Sequence, residues 1–169
     1  MNIVQRGIFS GLAATGEDRV VEYLAAYLGA THTVDGRSEA NHPTMRYAAA
    51  NGMLTLGENQ YLYSEEARQR AVTALIQAVE HDTWEPVRAI SARALMSLGE
   101  KRAISILERV SIHELESRVQ RDMRVAAQAL RTANKTDEQL KQLRKDLDQV
   151  REENRKQKEQ LESLEARVK

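Results

Sequence analysis

The sequence predicts an all-α protein in which a short α-solenoid is followed by a C-terminal coiled-coil helix. The 169 residues contain only eight glycines and two prolines, and aromatic residues make up 4% of them, which favours a largely helical chain. An apolar stripe that ends in Gly-Glu recurs along the first two thirds of the chain. After residue 133 a narrower apolar stripe with heptad spacing takes its place.

The repeated motif, called the phrase below, is an apolar helical stripe followed by Gly-Glu, and its copies can be aligned on their Gly-Glu pairs. Its three copies are IVQRGIFSGLAATGE (3–17), TMRYAAANGMLTLGE (44–58) and PVRAISARALMSLGE (86–100). A fourth copy, RVQRDMRVAAQAL (118–130), lacks the glycine. Equivalent positions lie about 41, 42 and 32 residues apart, a period typical of two-helix solenoid repeats.

Each copy predicts a pair of helices. Apolar residues within a copy follow helical spacing, and a small residue (Gly11, Gly52 or Ala94) stands where a neighbouring helix could approach closely. The glycine of each Gly-Glu pair is expected to end the first helix in the left-handed conformation. The predicted pairs lie near 3–29, 44–82 and 84–112, with a partial repeat at 115–132.

Two connecting loops and two helix starts complete this prediction. The polar segment 29–43 is expected to be a surface loop, and a shorter loop is expected just before Ser64. Ser64 is the predicted start of the next helix, and Pro86 suits the first turn of another.

The third copy carries a resemblance to a known repeat family. PVRAISARALMSLGEKRAISIL resembles a HEAT repeat, whose usual pattern is P-x-V-R, then A-L-x-x-L-G-D, then R-A-x-x-x-L. The matching residues are Pro86, Val87, Arg88, Ala94, Leu95, Leu98, Gly99, Arg102, Ala103 and Leu107. Glu100 stands where aspartate is usual. The resemblance implies a stack of helix pairs that bury their apolar faces against one another.

The order of the predicted pieces carries a second resemblance. A helix pair, a polar loop with "HP", a second pair with an insertion, a regular pair, "LESRVQRDMRVAAQAL" and a charged helical tail follow one another. This order is similar to the C-terminal, non-catalytic region of soluble prokaryotic zinc aminopeptidases of the membrane-alanyl-aminopeptidase (gluzincin) family. The resemblance implies a region that packs beside a catalytic domain and limits access to it.

No catalytic or metal-binding residues are predicted in this chain. The H-E-x-x-H and G-x-M-E-N motifs of that peptidase family are absent, since "HELES" (113–117) has Ser117 where the second histidine ligand would stand. His113 is therefore interpreted as a surface or helix-end histidine. The four histidines include no pair three or four residues apart, so a local helical metal site is not expected, nor is any cofactor.

The first helix has an apolar stripe where a solenoid end would normally be polar. Two explanations are open. Either the chain begins inside a longer array, which we favour, or the helix packs inward on its own partner.

The tail, residues 134–169, shows a heptad series. Thr136 and Gln139 fit a capping box after a short polar break. A stripe two sevenths wide is typical of a coiled-coil seam. The predicted seam residues are Leu140, Leu143, Leu147, Val150, Asn154, Gln157, Leu161, Leu164 and Val168.

The flanking charges favour a parallel dimer. With Leu140 at position a, Asp146 and Glu153 occupy g positions and face Arg151 and Lys158 at the e positions of the partner helix. An antiparallel dimer would instead bring Arg151 near Lys158. The alternative is a lone charged helix in solvent or against the solenoid.

Three residues are candidates for partner contact. Trp84 is the single tryptophan, and it either contacts a partner or packs against the start of its own helix. Arg46 and Arg88 share one repeat position, where they either bind an acidic partner or bond within and between repeats.

Composition limits the classes of function. Lys plus Arg and Asp plus Glu both number 25. A chain without net positive charge is not expected to bind nucleic acid. The absence of cysteine fits a reducing cytoplasm. No apolar run approaches the length of a membrane span, so no membrane association is expected. The start of the chain lacks the charged segment and the apolar core of a signal peptide.

Three functional hypotheses follow. The first is a non-catalytic region of a zinc aminopeptidase-like protein that provides scaffold, access control and self-association. The second is a free-standing adaptor that binds a protein on its concave face. The third, a HEAT-like DNA-repair glycosylase, is disfavoured by the neutral charge and the single tryptophan.

Overall fold

The computed structural model describes the backbone of residues 3–29, 31–34, 37–58 and 64–168, and the side chains of residues 7–29, 31, 40–58 and 64–159. These residues form seven helices and one two-stranded hairpin. In chain order they are α1 (Ile3–Ala13), α2 (Asp18–Leu28), β1 (Thr31–Val34), β2 (Arg37–Ala40), α3 (Pro43–Glu58), α4 (Glu65–His81), α5 (Glu85–Ser97), α6 (Ala103–His113) and α7 (Ser117–Val168).

The helices of the body form two layers. Helix α3 packs between α1 and α5 in one layer, and α4 packs between α2 and α6 in the other. Each consecutive pair, α1–α2, α3–α4 and α5–α6, contributes one helix to each layer. Stacked helix pairs of this kind define an α-solenoid, so the predicted all-α solenoid is confirmed. The chain divides into two compact units, residues 1–131 and 132–169.

The core between the layers consists mainly of alanines and branched aliphatic side chains, with one phenylalanine and two methionines. Its largest fully buried members are Leu24, Met53, Leu56, Leu75, Leu95, Leu107 and Met123. Met53 and Leu95 occupy the same repeat position and are both fully buried. Alanine at many of the remaining buried positions lets the helices approach closely.

Two of the three phrase glycines end their helices as predicted. Gly99 has φ +66°, its N–H donates to the Met96 carbonyl at 3.0 Å, and the Glu100 N–H donates to the Leu95 carbonyl at 3.2 Å. These two bonds supply hydrogen-bond donors to carbonyls of the last turn of α5, which would otherwise have none within the helix. Gly16 has φ +70° after α1.

The third phrase glycine, Gly57, differs from its prediction. It lies inside α3, which continues to Glu58. A Cβ added there would lie 2.8 Å from the backbone carbon of Ser97 and closer still to its Oγ. Gly57 is therefore needed for the close contact between α3 and α5. The sequence alone does not show whether a glycine at this position ends a helix or allows two helices to pack closely.

The segment predicted as a polar loop, 29–43, contains a β-hairpin instead. β1 and β2 pair antiparallel, with Thr31 opposite Ala40 and Val34 opposite Arg37. The signal was present in the sequence, where Asp35-Gly36 separates two short segments. An Asp-Gly pair between segments that include β-branched residues is a strong hairpin signal.

The predicted start of α4 is confirmed. The Ser64 Oγ accepts a hydrogen bond from the Ala67 N–H at 3.1 Å, so this side chain caps the helix. The shorter loop predicted before Ser64 lies outside the described residues. The N–H of Ser64 also donates to the Asp18 Oδ1 at 2.8 Å, which ties the start of α4 to the start of α2.

The predicted capping box at Thr136 is wrong. Helix α7 runs from Ser117 to Val168, so Thr136 lies within it. Its Oγ1 donates to the Thr132 carbonyl one turn earlier at 3.2 Å, a bond that threonine commonly makes inside helices. The short polar segment before Thr136 has helix-compatible residues and neither glycine nor proline, so nothing in it ends the helix.

Candidate functional site

The tail presents an apolar seam with no covering element among the described residues. Leu140, Leu143, Leu147 and Val150 are 49%, 64%, 49% and 51% exposed. They alternate three and four residues apart and therefore lie along one side of α7. Asn154 is also exposed. These four apolar side chains, each about half exposed, form a continuous apolar surface on the described part of this unit.

The seam extends beyond these four residues in the prediction. Gln157 is exposed. The side chains of Leu161, Leu164 and Val168 lie outside the described residues, although the helical backbone reaches Val168. The described geometry is compatible with both alternatives for the tail, a coiled coil and a lone helix.

The polar sides of the tail helix carry local charge pairs. Arg155 Nη2 lies 2.7 Å from Glu152 Oε1, and Lys156 Nζ lies 3.7 Å from the same oxygen. The hydrogen bond from Arg155 lowers the pKa of Glu152. Because these groups are fully exposed, the pairs support the helix only weakly.

The acidic g positions already have partners within their own helix. Asp146 accepts a hydrogen bond from the Gln142 amide at 2.8 Å, and Glu153 accepts one from Gln149 at 2.8 Å. Each bond uses one carboxylate oxygen.

In the body, Arg46 lies in a buried intramolecular site. Its Nε and Nη2 donate to the two Asp82 carboxylate oxygens at 2.7 and 2.9 Å, and its Nη1 donates to the Asn41 carbonyl at 2.7 Å. The residue is 8% exposed. It thus joins α3 to the end of α4, which supports the alternative that it bonds within and between repeats, and a partner contact at Arg46 stays a prediction.

Arg88 repeats this arrangement one unit later. Its Nε and Nη2 donate to the Glu114 carboxylate at 2.7 and 2.8 Å, and its Nη1 donates to the Asp82 carbonyl at 2.8 Å. Its hydrogen bond to Glu114 is the main cause of a raised Arg88 pKa. Arg88 thus also bonds within the body, which supports the same alternative, and a partner contact at Arg88 stays a prediction.

These contacts form a continuous chain of hydrogen bonds along one edge of the body. The Asn41 amide donates to the carbonyls of Ala26 and Gly29 near the end of α2. In the fourth copy, Gln120 stands at the arginine position, and its amide donates to the Ser111 carbonyl at 2.9 Å. The three copies whose side chain is described at this position therefore use it to hold the end of a second-layer helix.

Trp84 packs at the start of α5. Its ring lies edge-on to Tyr47 with a centroid distance of 6.2 Å, and its backbone N–H donates to the Asp82 Oδ1 at 2.8 Å. The ring packs partly buried against the core. This position supports the helix-start interpretation of Trp84 rather than the predicted partner contact.

Glu100 has a role that its sequence position did not reveal. It is 5% exposed, its Oε1 accepts from Arg102 Nε at 2.9 Å, and its Oε2 lies 3.3 Å from Arg68 Nη1 in α4. Burial raises the pKa of Glu100, but the hydrogen bonds from Arg102 and the charge of Arg68 outweigh this effect and lower it. Glu100 thus links the second and third repeats. Its signal was the charged residue retained after each phrase glycine.

Two histidines that are distant in sequence line one cavity. His81 ends α4 and His113 ends α6, and both border a cavity of about 400 Å³ with Arg109 and Leu115. His113 is exposed at its helix end, as predicted. Among the described residues, no group of three His, Cys, Asp or Glu side chains is close enough to hold a metal ion.

Comparison with known proteins identifies the repeat type. Residues 87–113 match the family described as PBS lyase HEAT-like repeat, and they comprise nearly all of α5 and all of α6. Neither curated proteins nor solved structures give a significant match. The chain is therefore an all-α HEAT-like solenoid with the character of a helical scaffold or adaptor. The resemblance to zinc aminopeptidases gains no support from the comparisons.

None of the helices in the described part of the chain combines the length and the apolar character that crossing a bilayer requires.

Proposed function

We propose that this protein is a non-catalytic HEAT-like scaffold that self-associates through a parallel coiled coil formed by residues 134–169. The observation that supports this is the half-exposed seam of Leu140, Leu143, Leu147 and Val150. Burying a leucine side chain fully is worth about 1.5–3 kcal/mol. A second copy of the same helix offers a matching stripe with the same spacing.

The polar residues around the seam favour two parallel strands. Asn154 at position a can pair with its counterpart in a parallel dimer, which fixes the register at some cost in stability. Asp146 and Glu153 would face Arg151 and Lys158 of the other chain. Each exposed pair contributes only about 0.5 kcal/mol, so these charges select orientation and the apolar seam supplies the stability.

A matched pair of variants tests the seam. Leu147→Lys places a charge in the seam, whereas Gln149→Lys places the same charge on a polar side of the same helical turn. We expect Leu147→Lys to reduce the mass from two chains to one in light scattering, and Gln149→Lys to leave it at two. Equal masses for the two variants would contradict the coiled coil.

Disulfide trapping tests the orientation. The chain has no cysteine, so Leu140→Cys introduces a single thiol at an a position. In a parallel, in-register dimer the two residue-140 side chains face each other, and oxidation should link them readily. Little linkage by a variant that is still dimeric would indicate an antiparallel arrangement.

The body would act as the rigid binding part of this scaffold. The ion pairs of Arg46 with Asp82 and of Arg88 with Glu114 each join the two helices of one repeat. The hydrogen bond from Arg88 to the Asp82 carbonyl and the pair between Glu100 and Arg68 join the second repeat to the third. HEAT-like arrays present extended concave surfaces to protein partners. A free-standing adaptor with such a partner is thus the simplest form of the proposal.

A narrower form places the chain at the C-terminal end of a zinc aminopeptidase-like protein. Its support is the order of sequence features alone. Sequencing the transcript upstream of Met1 tests it. An in-frame extension with H-E-x-x-H supports this form, and a stop codon directly upstream contradicts it.

A further inference from the structure

Helix α7 carries a strongly basic face within the body. Arg118, Arg121 and Arg124 follow one another at intervals of three residues, and all three are exposed. Because each interval turns the side-chain direction by about 60° around the helix, the three arginines lie within about 120° of one another. Val125, which is 56% exposed, lies between Arg118 and Arg121 on the same side. These four residues are here called the arginine face.

The arginine face lies opposite the core. The side chains that α7 buries in the body are Val119, Met123, Ala126, Ala127 and Leu130. The middle of this set lies about 180° around the helix from Arg121. The arginine face is therefore directed away from the packed helices and can meet another molecule without any change in the fold.

The guanidinium groups of this face lack the partners that most other arginines of the body have. Ion pairs with carboxylates hold Arg46, Arg68, Arg70, Arg88, Arg93, Arg102, Arg109 and Arg131. Within the described part of the chain, no carboxylate lies within ion-pair distance of the three guanidinium groups of the face, and the same is true of Arg19 in α2. Unpaired positive charge is thus concentrated on one side of one helix.

The nearest acidic residues do not neutralise this face. Asp122 lies one turn after Arg118, but its carboxylate pairs with Arg93 of α5 at 2.7 Å and its side chain is only 15% exposed. Glu116 accepts a hydrogen bond at 3.5 Å from the backbone N–H of Arg118. The first turn of α7 contains no acidic residue, although the helix dipole favours acids there and disfavours a cation. The arginines of the face therefore gain no stabilisation from a local ion pair.

We propose that the arginine face binds an acidic segment of a protein partner, whose carboxylates pair with the three guanidinium groups and whose apolar side chain packs on Val125. A guanidinium group binds a carboxylate through two parallel hydrogen bonds. The positive end of the α7 dipole attracts the same negative charge near Arg118. The proposal rests on the adaptor form of the proposed function, in which the body binds a protein, and it does not require the tail.

Phosphate groups of a nucleic acid would also attract arginine, but the composition of the face favours the carboxylates of a protein. Its three arginines span about 9 Å along the helix axis, whereas a nucleic-acid binding surface typically contacts about 6–10 phosphates. The face has no aromatic side chain on which a base could stack. Val125 instead offers the apolar contact that is common in the core of protein interfaces, where arginine is also enriched.

Fluorescence anisotropy with the full chain tests this contact. The probe is a labelled helical peptide with glutamates three and four residues apart and a leucine beside them in every turn. The control peptide has glutamine in place of each glutamate. We expect the glutamate peptide to bind with an affinity that falls as salt is added, and the glutamine peptide to bind at least tenfold more weakly. Equal binding of the two peptides, or no binding of the glutamate peptide, would overturn the proposal.

A matched pair of triple variants locates the contact on the surface. The first variant changes all three arginines of the face to glutamine. The second removes the same charge from three exposed positions outside the face, namely Arg19→Gln, Lys141→Gln and Lys145→Gln. Exposed ion pairs are individually weak, so the three arginines are changed together, and we expect the first variant to bind the glutamate peptide about tenfold more weakly and the second to bind it as the wild type does. Both should melt like the wild type in circular dichroism. An equal loss of affinity in the two variants would show a response to net charge alone and would contradict the proposal.

Two further measurements separate this contact from a nucleic-acid site and from the tail. If a labelled oligothymidine or DNA duplex bound more tightly than the glutamate peptide and lost affinity in the first variant, the face would be a nucleic-acid site instead. Leu147→Lys, which tests the tail, should bind the glutamate peptide with unchanged affinity per chain. Failure of the coiled coil and failure of this contact therefore give different results, and loss of peptide binding by Leu147→Lys would contradict a contact carried by the body alone.

Discussion

The buried arginines illustrate how single residues hold the repeats together. Arg88 and Glu114 form a bidentate pair whose side chains are 18% and 4% exposed. Arg88→Gln would leave the Glu114 carboxylate buried without its cation. Breaking such a pair typically costs about 3 kcal/mol or more, so we expect a loss of that size in the free energy of unfolding, measured by urea titration.

The matched control is Arg93→Gln. Arg93 also pairs with a carboxylate, Asp122, but its side chain is 53% exposed. An exposed pair contributes about 1 kcal/mol at most. If the two variants lost the same stability, burial would not be what makes the Arg88 pair important.

Acid should destabilise the body through the same carboxylate. The hydrogen bonds from Arg88 outweigh burial and lower the pKa of Glu114 below its ordinary 4.5. Above pH 4.5 the full stabilisation is present. As the pH falls below that value, the unfolded state binds the proton first, so stability declines until the pH has passed the folded-state pKa. Glu100, whose pKa is also lowered, acts in the same direction.

Urea titrations between pH 6 and pH 3 measure this decline. Glu114→Gln should be less stable than the wild type at pH 6 and should lose less further stability on acidification. A Glu114→Gln chain that loses as much stability as the wild type between these pH values would show that Glu114 is not a source of the pH dependence.

Ser91 is expected to lower the stability of the body. Its Oγ is buried without a hydrogen-bond partner among the described residues, and the equivalent residue in the second repeat is Ala49. Leaving a polar group buried and unpaired costs about 1–3 kcal/mol. We expect Ser91→Ala to raise the melting temperature in calorimetry. Ser97→Ala should not, because the Ser97 Oγ donates to the Ala94 carbonyl at 2.9 Å.

At the scale of the element, Gly57 shows that one sequence phrase can have two structural roles. Gly57→Ala would push a Cβ into Ser97 at the contact between α3 and α5. Overpacking of this kind typically costs about 1–3 kcal/mol, which chemical denaturation should detect. Gly7→Ala is the control, since it adds a Cβ to open space in a helix and should be neutral or stabilising. Destabilisation of similar size by both would contradict the packing role of Gly57.

The helices could be predicted more fully than their connections. Apolar spacing located each helix pair, and Ser64 marked a helix start that the structure confirms. The hairpin was missed because a polar composition was given more weight than the Asp35-Gly36 signal. The capping box at Thr136 was wrong because Thr and Gln at that spacing also occur inside a helix, where Thr136 bonds one turn back. Local patterns of this length do not distinguish a helix start from a helix interior.

For the whole molecule, the sequence predicted the architecture but not the contacts that lock it. The repeat period and the HEAT-like pattern that begins at Pro86 were sufficient to predict the solenoid. The partners of Arg46 and Arg88 lie 36 and 26 residues away, and only the stacked helices bring them together. The cavity that joins His81 to His113 arises in the same way. Long-range pairing of this kind leaves no local pattern in the sequence.

Sedimentation equilibrium of the full chain tests most directly whether the tail joins copies of this scaffold. The chain has a mass of 19.1 kDa. Self-association through the seam predicts a mass of no less than two chains at micromolar concentrations, falling toward one chain on dilution. A mass of one chain at every concentration would contradict the account, and the tail would then be a lone charged helix.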